Sequence, residues 1–206
     1  MQHVPANHAN TSAIARLTLE HRQIDRVLAA LADVVVRVRA GSAPSHEFFA
    51  VFVDFVEEYA DGRHHAKEEG ALFEALLASG FSHKGPIGCM IQQHQRGREL
   101  VRIIRDWVQS DSASKVARLD EMLSAATHYI ELLWHHIATE DRALFPAALT
   151  ALSEESKLAL AARSEELDPS PIEEFRAAAD AVVRLAERLS RESEPVLVRL
   201  PVGAEI

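Results

Sequence analysis

Two stretches of this sequence share one pattern, in which a histidine is followed four residues later by a glutamate and then by a Leu-Phe pair: His64-His-Ala-Lys-Glu-Glu-Gly-Ala-Leu-Phe73 and His136-Ile-Ala-Thr-Glu-Asp-Arg-Ala-Leu-Phe145. The two stretches lie 72 positions apart (136 − 64). Two further histidines, His21 and His94, are separated by nearly the same distance, 73 positions (94 − 21). The chain therefore resembles two helical hairpins of similar design that face each other, and this arrangement predicts that four histidines share one level of the fold.

Apolar residues recur every three or four positions in four long segments, which is the spacing of amphipathic helices. These segments cover residues 14–38, 49–75, 87–108 and 119–144, and glycines or prolines interrupt the chain between or after them. Four long helices with short connections are typical of an antiparallel up-down bundle. We therefore predict an all-α fold, an antiparallel up-down four-helix bundle with its histidines on the inner faces and one or two extra C-terminal helices.

The chain has 206 residues, which is enough for one compact domain with a buried core. We expect the bundle to occupy residues 12–150 and a helical C-terminal extension to occupy residues 151–193. The extension contains two helix-like segments separated by Asp168-Pro-Ser-Pro171, and residues 194–206 are expected to form an irregular tail. The extension would cover the bundle or mediate oligomerisation, so we expect a monomer or a homodimer.

Charge and cysteine content exclude several classes of function. A net charge of −9 argues against a nucleic-acid partner or an anionic membrane surface. The single cysteine, Cys89, excludes an intramolecular disulfide and a cysteine-based zinc or iron–sulfur site within one chain. The polar start of the sequence and the lack of a long apolar run argue against export and membrane insertion. We therefore expect a cytoplasmic protein with no membrane attachment.

Histidine is the one unusual component of the composition, with 11 residues. Residues four apart on a helix point to the same side, so each His-x3-Glu motif presents an imidazole and a carboxylate together. Buried carboxylates are costly unless a cation compensates them. Two metal ions would provide that compensation, and the sequence predicts six ligands for them: His21, His64, Glu68, His94, His136 and Glu140.

The donor types limit the identity of the metal. Imidazole and carboxylate ligation without thiolate suits iron, manganese or zinc, and two carboxylates that can bridge favour a dinuclear centre. Iron is the first expectation, with manganese or zinc as the alternatives. The competing hypothesis is that the histidines are core residues hydrogen-bonded to the two glutamates. Six polar groups on otherwise apolar helix faces are too many for that hypothesis to be preferred.

Three other histidines compete for a place in the site. His65 has Glu69 four residues later, but its helix face also carries Asp61, so we expect that face to meet solvent. His128 and His135 lie on a polar face of the fourth helix. We therefore predict that these three histidines lie at the surface or support the ligands from outside, and a ligand role for one of them is the alternative.

Four motifs together carry a family resemblance: Glu20-His21-Arg22, the stretch from His64 to Phe73, Gly85-Pro-Ile87 with His94, and the stretch from His136 to Pro146. They resemble the hemerythrin/HHE cation-binding family over residues 17–149. The resemblance implies an antiparallel four-helix bundle around a non-haem di-iron centre. It also implies two iron ions joined by bridging carboxylates and an oxo or hydroxo bridge.

The sequence departs from the oxygen-carrying members of that family, which have a second histidine on the third helix and an aspartate on the fourth. Here the positions one turn from His94 are Met90 and Arg98, and the fourth helix offers Glu140. A set of four histidines and two glutamates resembles bacterial iron-centre repair proteins linked to nitrosative stress and hemerythrin-like proteins implicated in peroxide handling. An oxygen carrier is therefore less expected than a reactive centre.

The resemblance implies a di-iron protein that reacts with peroxide, nitric oxide or dioxygen in oxidative or nitrosative stress or in iron homeostasis. Such a protein would be a di-iron oxidoreductase if it turns over. The alternative is a module for reversible dioxygen binding, sensing, or iron storage and delivery without turnover. In either case the expected partner is a small diatomic or peroxide ligand.

Overall fold

The computed structural model describes residues 12–193 and contains seven helices and no strand within that range. Five of the helices are regular: α1 (Ala13–Arg39), α3 (Pro86–Gln109), the short α4 (Ser112–Ala117), α6 (Glu154–Leu167) and α7 (Ile172–Ser193). Helix α2 runs from His46–Phe55 through π-helical turns at Val56–His65 and Glu68–Leu72 to Phe73–Ala78. Helix α5 runs from Leu119–Thr139 through a π-helical turn at Glu140–Leu144 to Phe145–Ala151. The tail predicted for residues 194–206 lies outside the described residues.

Helices α1, α2, α3 and α5 form the predicted all-α bundle, which is confirmed. Local sequence signals set the helix ends. The hydroxyl groups of Ser12 and Ser45 accept hydrogen bonds from the first turns of α1 and α2, each at 3.2 Å. Gly41 and Gly80 follow the ends of the same two helices with φ of 104° and 95°, a conformation that side chains other than glycine rarely adopt.

Two apolar clusters fill the bundle, one on each side of a polar level. The larger cluster combines residues 24–38 of α1, 48–60 of α2, 100–107 of α3 and 122–137 of α5. The smaller cluster combines residues 13–17 of α1, 71–76 of α2, 87–90 of α3 and 144–152 of the α5 end. On each of these helices one histidine lies at the boundary between the two clusters; these are His21, His64, His94 and His136. The four histidines of the repeat therefore share one level of the bundle.

The C-terminal helices are packed onto the bundle. Helix α7 lies against α1 and α2, and its residues Phe175, Ala179 and Val182 belong to the larger apolar cluster. Helix α6 contacts α1 and the second π-helical turn of α2, and its Leu160 belongs to the smaller cluster. The hydrophobic core therefore extends beyond the four long helices into the extension.

Within residues 12–193, none of the helices combines the length and the apolar character that crossing a membrane requires.

Candidate metal centre

Seven side chains meet in the polar level between the two apolar clusters, and each is less than 5% exposed: His21, His64, His65, Glu68, His94, His136 and Glu140. All six residues predicted as ligands are among them. His65 is the addition, because the sequence favoured a surface position for it. Within residues 12–193, no other group of three or more histidine, cysteine, aspartate or glutamate side chains is arranged to hold a metal ion.

Glu68 lies between two sets of histidines. Its Oε1 atom is 3.2 Å from His64 Nε2 and 3.7 Å from His21 Nε2. Its Oε2 atom is 3.4 Å from His94 Nε2. The two oxygens of one carboxylate therefore face two different groups of nitrogen atoms, as a bridging ligand requires.

Glu140 has a similar position on the opposite helix. Its Oε2 atom is 3.3 Å from His21 Nε2 and 3.2 Å from His136 Nε2. The Nε2 atoms of His136 and His94 are 3.1 Å apart. Both glutamates thus contact histidines from two helices.

The potential ligand atoms fall into two sets that share Glu68, and within each set all of them lie within 4.8 Å of one another. We call these sets the first donor group, with His21, His64, Glu68 and Glu140, and the second donor group, with His65, Glu68, His94 and His136. Two compact sets with one shared carboxylate are the arrangement that a pair of metal ions needs.

Unpaired buried atoms support the same assignment. The Nε2 atoms of His21, His64 and His65 have no hydrogen-bond partner, and neither do the four carboxylate oxygens of Glu68 and Glu140. A buried polar group without a partner costs about 1–3 kcal/mol, and a charged one costs more. These unpaired atoms argue against the competing hypothesis that hydrogen bonds to the two glutamates satisfy the histidines. Cations bound to these atoms would remove the penalty.

The other ring nitrogen of every histidine in the site is held in place. Each Nδ1 atom lies 2.7–3.2 Å from a side-chain oxygen, and the pairs are His21 with Asp141, His64 with Glu20, His65 with Asp61, His94 with Glu69 and His136 with Gln93. A proton on Nδ1 that is donated to such an oxygen leaves the Nε2 lone pair free for a metal. All five imidazoles therefore direct their Nε2 atoms toward the centre.

Sequence reasoning missed these oxygen partners, although the sequence contains a signal for four of them. Each of the four is adjacent along the chain to a residue of the centre, and they are Glu20, Glu69, Gln93 and Asp141. They also follow the internal repeat: Gln93 lies 73 positions after Glu20 (93 − 20), and Asp141 lies 72 positions after Glu69 (141 − 69). The twofold design of the chain thus includes the groups that orient the ligands.

The expectation that His65 meets solvent is wrong, because His65 is 4% exposed. That expectation assumed a regular α-helix, whereas Val56–His65 forms π-helical turns. A π-helical turn contains an extra residue, which rotates the positions that follow by about 100° relative to an α-helix. This change of register lets the adjacent residues His64 and His65 both face the core. The Nε2 atom of His65 joins the second donor group, and the expectations for His128 and His135 are confirmed, since both are exposed.

The carboxylates and imidazoles shift one another's pKa values. Burial would raise the pKa of Glu68, but the surrounding histidines hold it well below its usual range. Burial would lower the pKa of His94, but its contacts with Glu68 and Glu69 raise that pKa to about 9. Burial and the neighbouring His94 instead lower the pKa of His65 to about 3. Protons on some of the histidines therefore balance the buried carboxylates, and a bound cation would displace them.

A cavity of about 420 Å³ reaches the second donor group from the surface between α2, α3 and α5. His65 and His94 line it beside Tyr129, whose buried hydroxyl has no hydrogen-bond partner. Arg98 and Arg102 also line the cavity, together with the apolar side chains of residues 56 and 101. Small molecules can therefore approach this side of the centre.

Comparison with known proteins agrees with the geometry. The model of the hemerythrin HHE cation-binding domain matches residues 12–148. Searches among curated proteins and among solved structures returned no match. The matched range contains every residue of the two donor groups and ends before α6 begins. The chain therefore belongs to the hemerythrin HHE cation-binding domain family, and its cluster of histidines and glutamates is a metal-binding site.

Proposed function

We propose that the protein holds two iron ions in the bundle and that they react with peroxide, nitric oxide or dioxygen. One ion would be held by the first donor group and the other by the second, with Glu68 shared between them. The observation that carries this proposal is the set of buried ligand atoms without hydrogen-bond partners, each imidazole being oriented through its other nitrogen. The predicted ligands His21, His64, Glu68, His94, His136 and Glu140 are all part of it, and His65 is added to them.

The donor chemistry favours iron. The centre offers imidazole nitrogen and carboxylate oxygen, and the chain's one cysteine, Cys89, is exposed and outside both donor groups. Such mixed ligation in a helical bundle is the setting of di-iron carboxylate proteins. Manganese and zinc share several of these preferences, so metal analysis must distinguish the three.

The cavity beside His65 and His94 supports a reactive centre over reversible dioxygen binding. When bound, an iron pair supplies redox chemistry toward peroxide, nitric oxide or dioxygen. Reversible binding requires that water and protons be kept away from the centre, because they promote side reactions. Here charged side chains such as Arg98 and Asp61 line the route to the second donor group. A route lined by charged residues would let polar ligands and water, which can supply protons, reach the centre.

The test combines metal analysis with optical spectra. Protein purified with iron is reduced without oxygen and then exposed separately to dioxygen, peroxide and nitric oxide. We expect two iron ions per chain and a spectral change with at least peroxide or nitric oxide. His136→Ala should lose metal, whereas its matched control His135→Ala, an exposed neighbour, should retain it. Two tightly bound manganese or zinc ions, or no response to any of the three reagents, would overturn the proposal.

Turnover separates the two possible roles of a di-iron centre. Repeated consumption of peroxide by a small amount of protein supports the reactive role. A stable adduct with dioxygen that is released intact when the gas is removed would instead establish reversible binding.

A further inference from the structure

A buried network of charges connects the C-terminal extension to the metal centre. Lys67 is 1% exposed, and its Nζ atom donates hydrogen bonds to Glu20 Oε1 at 2.6 Å and to Asp168 Oδ2 at 2.7 Å. Glu20 is fully buried and Asp168 is 4% exposed. Asp168 lies in the connection between α6 and α7, outside the range that matches the family model. The extension thus places a carboxylate inside the bundle.

Arg16 completes this network. Its guanidinium group donates to Glu20 Oε1 at 3.1 Å, to Asp168 Oδ2 at 3.1 Å and to the carbonyl oxygen of Ser170 at 2.6 Å. Two positively charged side chains, Arg16 and Lys67, therefore contact two carboxylates, and the charges balance. Such buried groups stabilise a fold only when every partner is present, because removal of one leaves an uncompensated charge.

The network ends on a residue of the metal centre. The remaining carboxylate oxygen of Glu20, Oε2, accepts a hydrogen bond from His64 Nδ1 at 2.9 Å. His64 belongs to the first donor group only. The order of contacts is therefore Asp168 to Lys67, Lys67 to Glu20, and Glu20 to His64.

The second half of the internal repeat lacks these charges. The position equivalent to Glu20 is Gln93, which contacts His136 Nδ1 through its amide oxygen. The position equivalent to Lys67 is Thr139 (67 + 72), and the one equivalent to Arg16 is Cys89 (16 + 73). A charged network thus supports His64, whereas neutral side chains stand at the matching positions around His136. The two halves therefore place an oxygen atom at the same ring nitrogen but differ in charge at these three positions.

We propose that Asp168 is a positioning residue that selectively strengthens cation binding by the first donor group. Its carboxylate balances Lys67, which leaves Glu20 free to hold the His64 ring and to increase the basicity of that ligand. Without the Asp168 charge, the Lys67 ammonium group would have only Glu20 as a counter-ion and would compete with His64 for it. The inference rests on the proposed function insofar as two cations occupy the two donor groups.

The test is a titration of the metal-free full chain with ferrous ion under anaerobic conditions, read by metal analysis and optical spectra. We expect Asp168→Asn to weaken one of the two binding steps by about 10–100-fold and to leave the other unchanged. Glu165→Gln is the matched control, since Glu165 lies 4.0 Å from the same Arg16 but is exposed. It should leave both steps unchanged.

Two further variants distinguish positioning from general damage to the fold. Glu69→Gln changes the partner of His94 in the second donor group and should weaken the other binding step. Lys67→Met combined with Asp168→Asn removes both buried charges and should restore most of the affinity lost in Asp168→Asn. It also provides a test if Asp168→Asn alone does not fold.

The possible failures are separable. If the wild-type chain binds two ferrous ions and Asp168→Asn weakens both steps equally or neither, the positioning role is overturned while the proposed function stands. If the double variant binds as weakly as Asp168→Asn, the charge-balance explanation is overturned. If the wild-type chain does not bind two ions, the proposed function itself is overturned.

Discussion

The imidazole rings of His65 and His94 stack with their centroids 3.8 Å apart and an angle of 18° between their planes. The two residues come from α2 and α3, and both line the cavity that reaches the second donor group. The stacking places a second histidine next to the one on the third helix. His65 thus adds a second histidine beside His94 in the second donor group.

Replacement of His65 tests whether it is a ligand. His65→Ile introduces the residue found at the equivalent position of the repeat, Ile137, so the substitution suits a buried helix position. We expect the second donor group to lose at least about 10-fold in cation affinity, since one of its four potential ligands is removed. Metal analysis after dialysis measures the loss. His135→Ile, at an exposed histidine, should retain two ions, and full retention in His65→Ile would show that His65 only packs against the centre.

Cation binding should depend on pH through His94. The pKa of His94 is about 9 in the metal-free protein, so this histidine carries a proton at neutral pH. A metal must displace that proton, and the affinity should therefore fall about tenfold for each pH unit below 9 from this group alone. His65, with a pKa of about 3, adds no such cost near neutrality. Titrations between about pH 6 and 9 measure the slope, and a flat profile would contradict the prediction.

The raised pKa of His94 also makes the stability of the metal-free protein depend on pH, in the direction opposite to the cation affinity. Because the pKa of His94 is raised on folding, its protonation stabilises the metal-free protein fully below about pH 6.5, the ordinary value for histidine. This contribution is lost as the pH rises through about 9. Denaturant unfolding of the metal-free chain at several pH values measures it.

Arg98 connects the groups that orient the second donor group. It donates to Asp61 Oδ1 at 2.8 Å and to Glu69 Oε1 at 2.7 Å, and these two carboxylates hold His65 and His94. Arg98→Ala should therefore weaken one binding step by about 10-fold and accelerate release of that ion. Metal transfer to a chelator measures the rate.

The control for Arg98 lies one helical turn away. Arg102 lines the same cavity and is exposed, and it forms no ion pair within residues 12–193. Arg102→Ala should leave the release rate unchanged. Equal acceleration in both variants would indicate that the charge of the cavity, and not the orientation of the ligands, controls release.

Phe175 tests whether the extension belongs to the folding unit of the bundle. It is 2% exposed, and its ring centroid lies 5.6 Å from those of Phe55 and Tyr59 in α2. Phe175→Ala should lower the free energy of unfolding by about 3–5 kcal/mol, as expected for a buried aromatic side chain. Leu158→Ala, at a position that is 73% exposed, should change it by less than about 0.5 kcal/mol. Urea unfolding measures both, and a single transition is expected.

The sequence predicted the regular parts of this molecule well because they follow one period. In α1 and α3 the three-and-four spacing correctly places His21 and His94 on the buried faces. In α2 the same reasoning placed His65 in solvent, since an α-helical period cannot anticipate a π-helical turn.

Local sequence patterns could not predict contacts between distant parts of the chain. Asp168 lies 101 positions from Lys67, and nothing near it in the sequence indicates a buried partner. Glu20 and Glu69 differ, since they flank predicted residues and recur in the repeat as Gln93 and Asp141. A comparison of the two halves beyond the ligands themselves would have identified these hydrogen-bond partners.

The internal repeat also describes how such a site can originate. Each half contributes one helical hairpin with one glutamate, two histidines at equivalent positions and the oxygen atoms that orient their rings, and the first half adds His65. Duplication and fusion of a gene for a single hairpin would produce this pattern from two identical copies that first assembled around the metals. Once both copies are encoded in one gene, each can mutate alone. The equivalent positions of the repeat show such differences: His65 corresponds to Ile137, and Lys67 corresponds to Thr139.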